Sequence, residues 1–228
     1  AFQCPHCGAL VGKAVSKSTG ARKLDRPKET VFDPTLGRTV EVPKWVIVQE
    51  TVKKPRGRAR TSLSAEQARA LSERLAGREW PAVPRTQFAP GRQTNKLING
   101  SGISYVCHMY SPRALFAYAT LWEQSLSSPK HTQLFRYCLS AINNYVSRKQ
   151  GYFGGGGGVS GTLFTPSVHL ERNVFDVLRR KLKKVVNIGS ADLGHVAITT
   201  QSVAGLRTLP DKSIDYIFTD PPFGESLQ

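Results

Sequence analysis

Asp220 is a candidate catalytic carboxylate, because it follows a predicted strand and precedes a proline pair. The residues before it, Tyr216-Ile217-Phe218-Thr219, are largely apolar and β-branched or aromatic. They predict a buried strand, so that Asp220 lies at the carboxyl end of this strand. In open α/β sheets, ligands bind at the edge formed by the carboxyl ends of the strands. Two prolines follow, and they leave the loop carbonyl oxygens free to accept hydrogen bonds. The motif consists of Asp220, Pro221, Pro222, Phe223, which offers a flat aromatic face, and Gly224, which lets the chain turn away.

These groups suit the handling of an exocyclic amino group on a nucleic-acid base. Such an amine is a poor nucleophile, because its lone pair is delocalised into the ring. A carboxylate that accepts one N–H and a backbone carbonyl that accepts the other would localise the lone pair toward a methyl donor. An aromatic ring can stack on an extruded base. An isolated Asp-Pro-Pro is more often a structural turn, but the preceding strand and helix-like crossover favour the functional interpretation.

Cys4 and Cys7 form a short knuckle with zinc-ligand spacing. A closed structural zinc site needs four ligands, and this pair supplies two. His6 lies inside the knuckle, where its ring would compete with the turn instead of completing a tetrahedron. The adjacent Cys107 and His108 could be recruited, although packing at a helix entry is the favoured interpretation for them. The pair therefore predicts half of a zinc ribbon.

The net charge of +16, from 32 basic and 16 acidic side chains, favours a polyanionic partner, and nucleic acid is the commonest one. A ribosome-associated or merely solvated basic surface is the alternative. Residues 1–97 carry 19 basic and 8 acidic side chains, and the densest run is 53–60. Proline and glycine within that run predict a flexible arm or loop that can follow a phosphate backbone, or equally a solvated linker.

The chain has no run of about 18 apolar residues and no signal peptide, so neither a membrane span nor secretion is predicted. The spacing of its four cysteines does not suggest a disulfide framework, and reduced thiols predict a cytoplasmic location. Since the chain opens within a motif and without Met, we expect it to be an internal segment of a longer protein.

Four regions are expected to position these groups. Residues 1–52 predict a β module, with a hairpin around Thr35–Arg38 and a further strand at Trp45–Val48. Residues 53–104 predict the basic arm, a helix that begins at a capping box on Ser64, and a long loop over 77–104.

The third region, 105–186, predicts a helical insertion. Ser111 followed by proline indicates a helix start. A second helix is predicted over about 131–146, with Cys138 on its core face, and a third over about 170–186. Gly154–Gly158 reads as a flexible linker, because no Lys-Ser/Thr follows it. In the last region, 187–228, the pattern predicts strands at 196–199 and 214–219 and part of a parallel sheet.

The segment from Ser213 to Gly224 resembles the Asp/Asn/Ser-Pro-Pro-Tyr/Phe signature of amino-methyltransferases. More narrowly, the chain resembles adenine-specific DNA methyltransferases with an inserted zinc ribbon. The likeness covers most of the chain: the knuckle at 4–8, the aromatic-Ser-Pro-Arg segment that begins at Tyr110, the stretch 161–175, and Thr200-Gln201-Ser202. The terminal motif is the most specific of these matches.

This resemblance implies S-adenosylmethionine-dependent methyl transfer to a DNA base, at adenine N6 or, as a second choice, cytosine N4. Asp220 and the Pro221 carbonyl would hold the amine, Phe223 would stack on the base, and Ser202 would contact the cofactor. The implied fold class is α/β: a partial Rossmann-like methyltransferase sheet with a helical insertion and an N-terminal zinc-ribbon-like β module. Cys4 and Cys7 would bind structural zinc. Restriction-modification is one setting for such an enzyme.

Two alternatives stay open. Guanine-N2 methyltransferases of tRNA carry a similar Asp-Pro-Pro-Tyr-Gly motif, although the ribbon and the helical insertion fit them poorly. In such enzymes a glycine-rich Phe-x-Gly-x-Gly loop after the first strand binds the methyl donor. The chain shows no such loop in that position, because Gly154–Gly158 lacks the context of a preceding strand. That departure favours a nucleic-acid-binding module without catalysis for these residues alone. The partner is expected to be DNA, with RNA second.

Overall fold

The computed structural model describes the backbone of residues 2–3, 10–11, 13–15 and 22–24, and residues 27–152, 163–166, 168–187, 205 and 209–219 more fully. The chain divides into two compact units, Ala1–Lys184 and Val185–Gln228. The first unit contains short antiparallel hairpins followed by a helical part. In the second, the described residues are the end of the last helix, position 205 and the segment 209–219.

The first unit begins with two small antiparallel sheets. Strand β1 (Phe2–Gln3) pairs with β2 (Leu10–Val11), and β3 (Lys13–Val15) pairs with β4 (Arg22–Leu24). Both hairpins fall within the predicted β module 1–52. Cys4 and Cys7 lie outside the described residues, so the predicted zinc knuckle stays a prediction.

The hairpin predicted around Thr35–Arg38 is confirmed. Strand β5 (Lys28–Asp33) pairs with β6 (Arg38–Pro43), with Asp33 opposite Arg38. Its side chains alternate between half-buried and exposed, as expected for strands with one packed face. The turn closes through the Gly37 amide, which donates to the Asp33 carbonyl oxygen at 2.8 Å. Gly37 has φ +66°, which explains a glycine at this position.

The predicted strand at Trp45–Val48 is wrong. These residues are irregular and mostly half-buried, and the next strand, β7, covers Gln49–Lys53. It pairs with β8 (Arg58–Ser62). The basic run 53–60 is therefore the end of a hairpin and not a flexible arm. Gly57, with φ +86°, permits the reversal that the composition suggested as a loop.

The helix predicted from Ser64 is confirmed as α1 (Ala65–Glu73). Both hydrogen bonds of the capping box on Ser64 and Gln67 are present. The predicted loop over 77–104 is interrupted by a helix, α2 (Arg92–Ser101), which ends at Gly102 in the left-handed conformation. The helix was not predicted because most of its residues are polar and only a short apolar face, which includes the buried Leu97, packs against the rest of the protein.

The helical region follows its predicted order. A short 3-10 helix (Val106–Met109) leads to α3 (Pro112–Gln124), where Ser111 accepts a hydrogen bond from the Ala114 amide. Helix α4 covers Thr132–Val146, and α5 covers Val174–Asn187 and so begins about four residues after its predicted start. The core side chains of these helices are Ala114, Leu115, Ala119, Cys138, Leu139, Ile142, Val146, Val174, Val177 and Leu178.

The segment 214–219 differs from its prediction. The structure assigns no strand to 211–219, and Tyr216, Ile217 and Phe218 are 80%, 72% and 82% exposed. A strand forms only when a neighbour completes its hydrogen bonds, and no described segment pairs with this one. The other predicted strand, 196–199, and the Gly154–Gly158 linker lie outside the described residues. The sheets formed by described residues are all two-stranded and antiparallel, so the parallel sheet stays a prediction.

None of the helices in the described ranges combines the length and the apolar character needed to cross a membrane.

Candidate functional site

The sequence-predicted site residues fall outside the described part of the chain. They are Asp220, Pro221, Pro222 and Phe223 of the base-holding motif, Ser202 as a cofactor contact, and Cys4 and Cys7 as metal ligands. The structure therefore neither brings them together nor separates them. It does describe the approach to the motif, where Ser213 Oγ donates to the Pro210 carbonyl oxygen at 2.7 Å and residues 213–219 are exposed.

The clearest polar cluster among the described residues begins at the turn of the β5–β6 hairpin. Asp33 is buried, and its Oδ1 accepts hydrogen bonds from the Thr35 amide at 2.8 Å and the Thr35 hydroxyl at 2.6 Å. The Leu36 amide donates to the same oxygen at 3.2 Å. Such side-chain to backbone bonds are typical of an Asp that opens a turn. They fix the carboxylate so that Oδ2 is left for another partner.

That partner is His108 in the short 3-10 helix. His108 Nε2 lies 2.6 Å from Asp33 Oδ2, and both side chains are little exposed, at 14% and 10%. The 3-10 helix is held in place by backbone bonds to the segment 86–88: the Phe88 amide donates to the Ser104 carbonyl at 2.9 Å, and the Val106 amide to the Thr86 carbonyl at 3.0 Å. This ion pair joins the hairpin to the helical part of the first unit.

The pair shifts the pKa of each member. Burial by itself would raise the pKa of Asp33, but hydrogen bonds from His108 and Thr35 outweigh it and lower that pKa to about 2. Burial by itself would lower the pKa of His108, but the bond to Asp33 and the interaction with Cys107 raise that pKa to about 9. Near neutral pH the pair is therefore a carboxylate and an imidazolium.

Cys107 completes a group of three potential metal ligands. One donor atom each from Asp33, Cys107 and His108 lies within 4.8 Å of the others, and Cys107 is 2% exposed. Beside them, the Tyr105 ring meets the His108 ring edge-on at 5.3 Å between centroids. Arg38 of β6 donates to the Tyr105 hydroxyl and lies over the same ring. We refer to Asp33, Cys107 and His108 as the Asp-Cys-His cluster.

A second buried polar group lies around Arg148, directly after α4. The Arg148 guanidinium stacks 4.5 Å from the centroid of the Trp45 ring, and its Nε donates to the Tyr110 carbonyl oxygen at 3.1 Å. Its Nη1 lies 3.2 Å from Nε2 of His169, whose ring meets Trp45 edge-on. Burial lowers the pKa of Arg148 to about 10, although the charge of Glu171 opposes this shift. These contacts connect Trp45 and His169 to the segment that follows α4, and we interpret them as structural.

The β7–β8 hairpin carries the main basic surface. Lys54, Arg56, Arg58 and Arg60 are exposed, and the sequence has no acidic residue between Glu50 and Glu66. Arg60 also donates to the Tyr152 hydroxyl at 3.0 Å and lies 5.9 Å from the centroid of its ring. Because few of its side chains are buried, the positive charges of this hairpin are accessible to an external polyanion. We call these four side chains the basic hairpin surface.

Helix α5 presents further basic side chains on its outer face. Arg179, Arg180, Lys183 and Lys184 are exposed. The Lys181 ammonium lies 5.3 Å from the centroid of the Tyr137 ring on α4, so this residue serves packing as well as charge. Arg179 also forms an exposed ion pair with Asp176 at 3.3 Å. The face adds positive charge to the first unit.

The sequence shows Cys107 and His108 as adjacent residues that could be recruited as ligands, with helix-entry packing as the favoured interpretation, and nothing in it connects them to Asp33. The available signal was the Asp-Pro-Thr turn, which predicts a hairpin and says nothing about a residue 75 positions away. No protein-family model, curated protein or solved structure matches the chain.

Proposed function

We propose that the chain belongs to an S-adenosylmethionine-dependent methyltransferase that modifies exocyclic amino groups of DNA bases. The observation that carries this proposal is the sequence from Ser213 to Gly224, in which an apolar segment runs directly into Asp-Pro-Pro-Phe-Gly. Adenine N6 is the preferred target and cytosine N4 the second. A cytoplasmic location, where DNA methylation and its cofactor would meet, is part of the same proposal.

In this proposal each residue of the motif has one task. The Asp220 carboxylate and the Pro221 carbonyl accept the two amino N–H groups, which orients the amine nitrogen and keeps its lone pair available. Phe223 stacks on the extruded base, and Pro222 restricts the loop backbone. S-adenosylmethionine supplies the methyl group when bound. Ser202 is the single cofactor contact that we assign, because no Phe-x-Gly-x-Gly loop follows a predicted first strand in the sequence.

The described residues support the proposal through their charge. The basic hairpin surface supplies the charge that a nucleic-acid enzyme needs to bind phosphates without reading sequence.

The experiment measures transfer of a labelled methyl group from S-adenosylmethionine to duplex DNA, single-stranded DNA and tRNA. The protein that carries this chain is compared with its Asp220→Ala variant. The matched control is Asp215→Ala, which removes an exposed carboxylate five residues earlier. We expect labelling of DNA, loss of at least about 100-fold in Asp220→Ala, as when a group that stabilises the transition state is removed, and no change in the control.

Unchanged labelling by Asp220→Ala would refute the assigned role of that carboxylate. Preferential labelling of tRNA would instead favour the guanine-N2 alternative.

The basic hairpin surface favours a second candidate, which is nucleic-acid binding without catalysis. This chain would then bind DNA and contribute no methyl transfer. Calorimetric titration of the 228-residue chain with S-adenosylmethionine and with a DNA duplex separates the two candidates. Binding of DNA without cofactor supports the binding module for these residues, whereas measurable cofactor binding contradicts it.

A further inference from the structure

We propose that the Asp-Cys-His cluster binds a zinc-class divalent metal ion between the β5–β6 hairpin and the 3-10 helix Val106–Met109. The inference is independent of methyl transfer and of the predicted knuckle at Cys4 and Cys7. It rests on three donor atoms of different chemistry that come from two distant parts of the chain and lie within 4.8 Å of one another.

The spacing of the donors is close to what a tetrahedral ion requires. Zinc binds nitrogen and oxygen at about 2.0–2.2 Å and sulfur at about 2.3 Å, so neighbouring donors in a tetrahedron are roughly 3.3–3.8 Å apart. The donor atoms are now up to 4.8 Å apart, so the longest distance between them must shorten by about 1 Å when the ion binds. Side-chain rotation can supply this movement. Asp33 Oδ2 and His108 Nε2, now 2.6 Å apart, would move slightly apart to admit the ion.

The Asp33 carboxylate is already oriented for this role. Thr35 and Leu36 saturate Oδ1 with three hydrogen bonds, which directs Oδ2 toward His108. Hydrogen bonds of this kind to a ligating carboxylate fix its direction and raise metal affinity. On the other side, Cys107 and His108 share one rigid turn of 3-10 helix, so two of the three ligands are positioned together.

The donor types select the class of metal. Thiolate and imidazole favour zinc and similar borderline ions over magnesium and calcium, which prefer oxygen ligands. A thiolate and a carboxylate together carry two negative charges, which balance a divalent cation in a buried site. Three protein ligands leave one coordination position for water or a further ligand.

The test uses the full 228-residue chain with Cys4→Ser and Cys7→Ser, so that the predicted knuckle cannot contribute. This protein is stripped with a chelator and titrated with Co²⁺, whose thiolate complex absorbs in the near ultraviolet, and Zn²⁺ is then used to displace it. We expect one equivalent to bind, with release of protons from the ligands and an increase in melting temperature that grows with metal concentration.

Variants locate the binding. Cys107→Ser and His108→Asn should each weaken binding by more than about 100-fold, because they remove ligands, and Cys107→Ser should abolish the thiolate absorption. Thr35→Val removes one hydrogen bond to Asp33 and should weaken binding by about 10- to 100-fold, as loss of a supporting partner does. Cys138→Ala is the matched control, since it removes a buried thiol outside the cluster, and binding should be unchanged.

Circular dichroism checks the fold of each variant. If Cys107→Ser does not fold, His108→Asn and Thr35→Val decide. Failure of the Cys4/Cys7-free chain to bind one equivalent, or binding that survives in folded His108→Asn, would overturn the site. Because none of these readouts involves methyl transfer, their outcome is distinguishable from that of the Asp220 experiment.

Discussion

The hairpins β5–β6 and β7–β8 follow one another in the chain and have nearly the same size, yet they differ in what their side chains contact. The first is anchored by the Asp33–His108 pair, by Arg38 on Tyr105 and by Pro43 against Gly102. The second has mostly exposed side chains and contacts the helical part through Arg60 on Tyr152.

The difference shows how one local structure can serve two purposes. A half-buried inward face attaches β5–β6 to the helical part, whereas lack of such burial leaves β7–β8 as a carrier of positive charge. An isolated two-stranded hairpin is marginally stable, so β7–β8 should open more readily than β5–β6. Four perturbations would test this contrast.

The largest effect is expected from Asp33→Ala. This change leaves His108 buried without its partner and removes the hydrogen bonds that hold the turn, so the free energy of unfolding should fall by about 3–5 kcal/mol. Urea unfolding followed by circular dichroism measures it. Glu41→Ala is the control, because it removes an exposed ion pair with Lys28 in the same hairpin, and it should cost less than about 1 kcal/mol. Equal losses in the two variants would show that Asp33 does not anchor the hairpin.

Gly102→Ala should cost about 2–4 kcal/mol. The backbone of Gly102 is left-handed, with φ +70°, and an added Cβ would lie 2.9 Å from Pro43 Cγ. Backbone strain and overpacking both contribute to this sum. Gly57→Ala in the β7–β8 turn isolates the strain, since φ is +86° and nothing lies within 4 Å of the added atom. Thermal unfolding compares them. Similar losses of stability in Gly102→Ala and Gly57→Ala would mean that Pro43 moves away from the added Cβ without a measurable energetic penalty.

The pH dependence should also reflect the Asp33–His108 pair in the metal-free protein. The pKa of His108 is raised from 6.5 to about 9, so its stabilising contribution is complete below pH 6.5 and is lost as the pH rises through 9. The pKa of Asp33 is lowered from 3.8 to about 2, so its contribution is present above pH 3.8 and disappears as the pH falls through 2. Stability should therefore be highest between these limits.

Between pH 6 and pH 10 we expect a loss of about 1–3 kcal/mol, measured by urea unfolding in the presence of a chelator. In His108→Gln this pH dependence should largely disappear, because the titrating imidazole is gone. A wild-type profile in that variant would assign the loss to other groups.

The smallest effect concerns the basic hairpin surface. Arg56→Ala with Arg58→Ala should reduce the slope of log affinity for duplex DNA against log salt by about 0.9 for each phosphate contact removed, with little change in stability. Fluorescence anisotropy at several salt concentrations measures it. Lys28→Ala in the β5–β6 hairpin removes one positive charge from the other hairpin and should leave the slope unchanged. If the slope changes equally in the Arg56/Arg58 double variant and in Lys28→Ala, the DNA does not bind specifically at the basic hairpin surface.

Local signals in the sequence predicted local structure well. The capping box on Ser64, the Ser111-Pro112 helix start and the turn at Thr35–Arg38 each depend on a few adjacent residues, and each is present in the structure. Where the outcome depended on distant packing, prediction was weaker. Helix α2 was missed because Leu97 becomes a core residue only through partners such as Ile103 and Met109.

The same distinction between local and distant signals applies to the candidate site. Adjacent Cys107 and His108 are visible in the sequence, but their proximity to Asp33 depends on how the hairpin docks. Apolar residues 216–218 have the composition of a strand, yet a strand exists only when another segment completes its hydrogen bonds. The roles of Asp220, Phe223 and Ser202 depend on chemistry read from the motif and stay predictions.

The 75-residue separation of Asp33 and His108 has a consequence during synthesis of the protein. At roughly 5–20 residues per second, His108 is added about 4–15 s after Asp33. A hairpin forms within microseconds, so β5–β6 can close long before its anchor is available. During that interval the Asp33 carboxylate, which the folded protein buries, and the inward face of the hairpin remain accessible to chaperones and to other nascent chains.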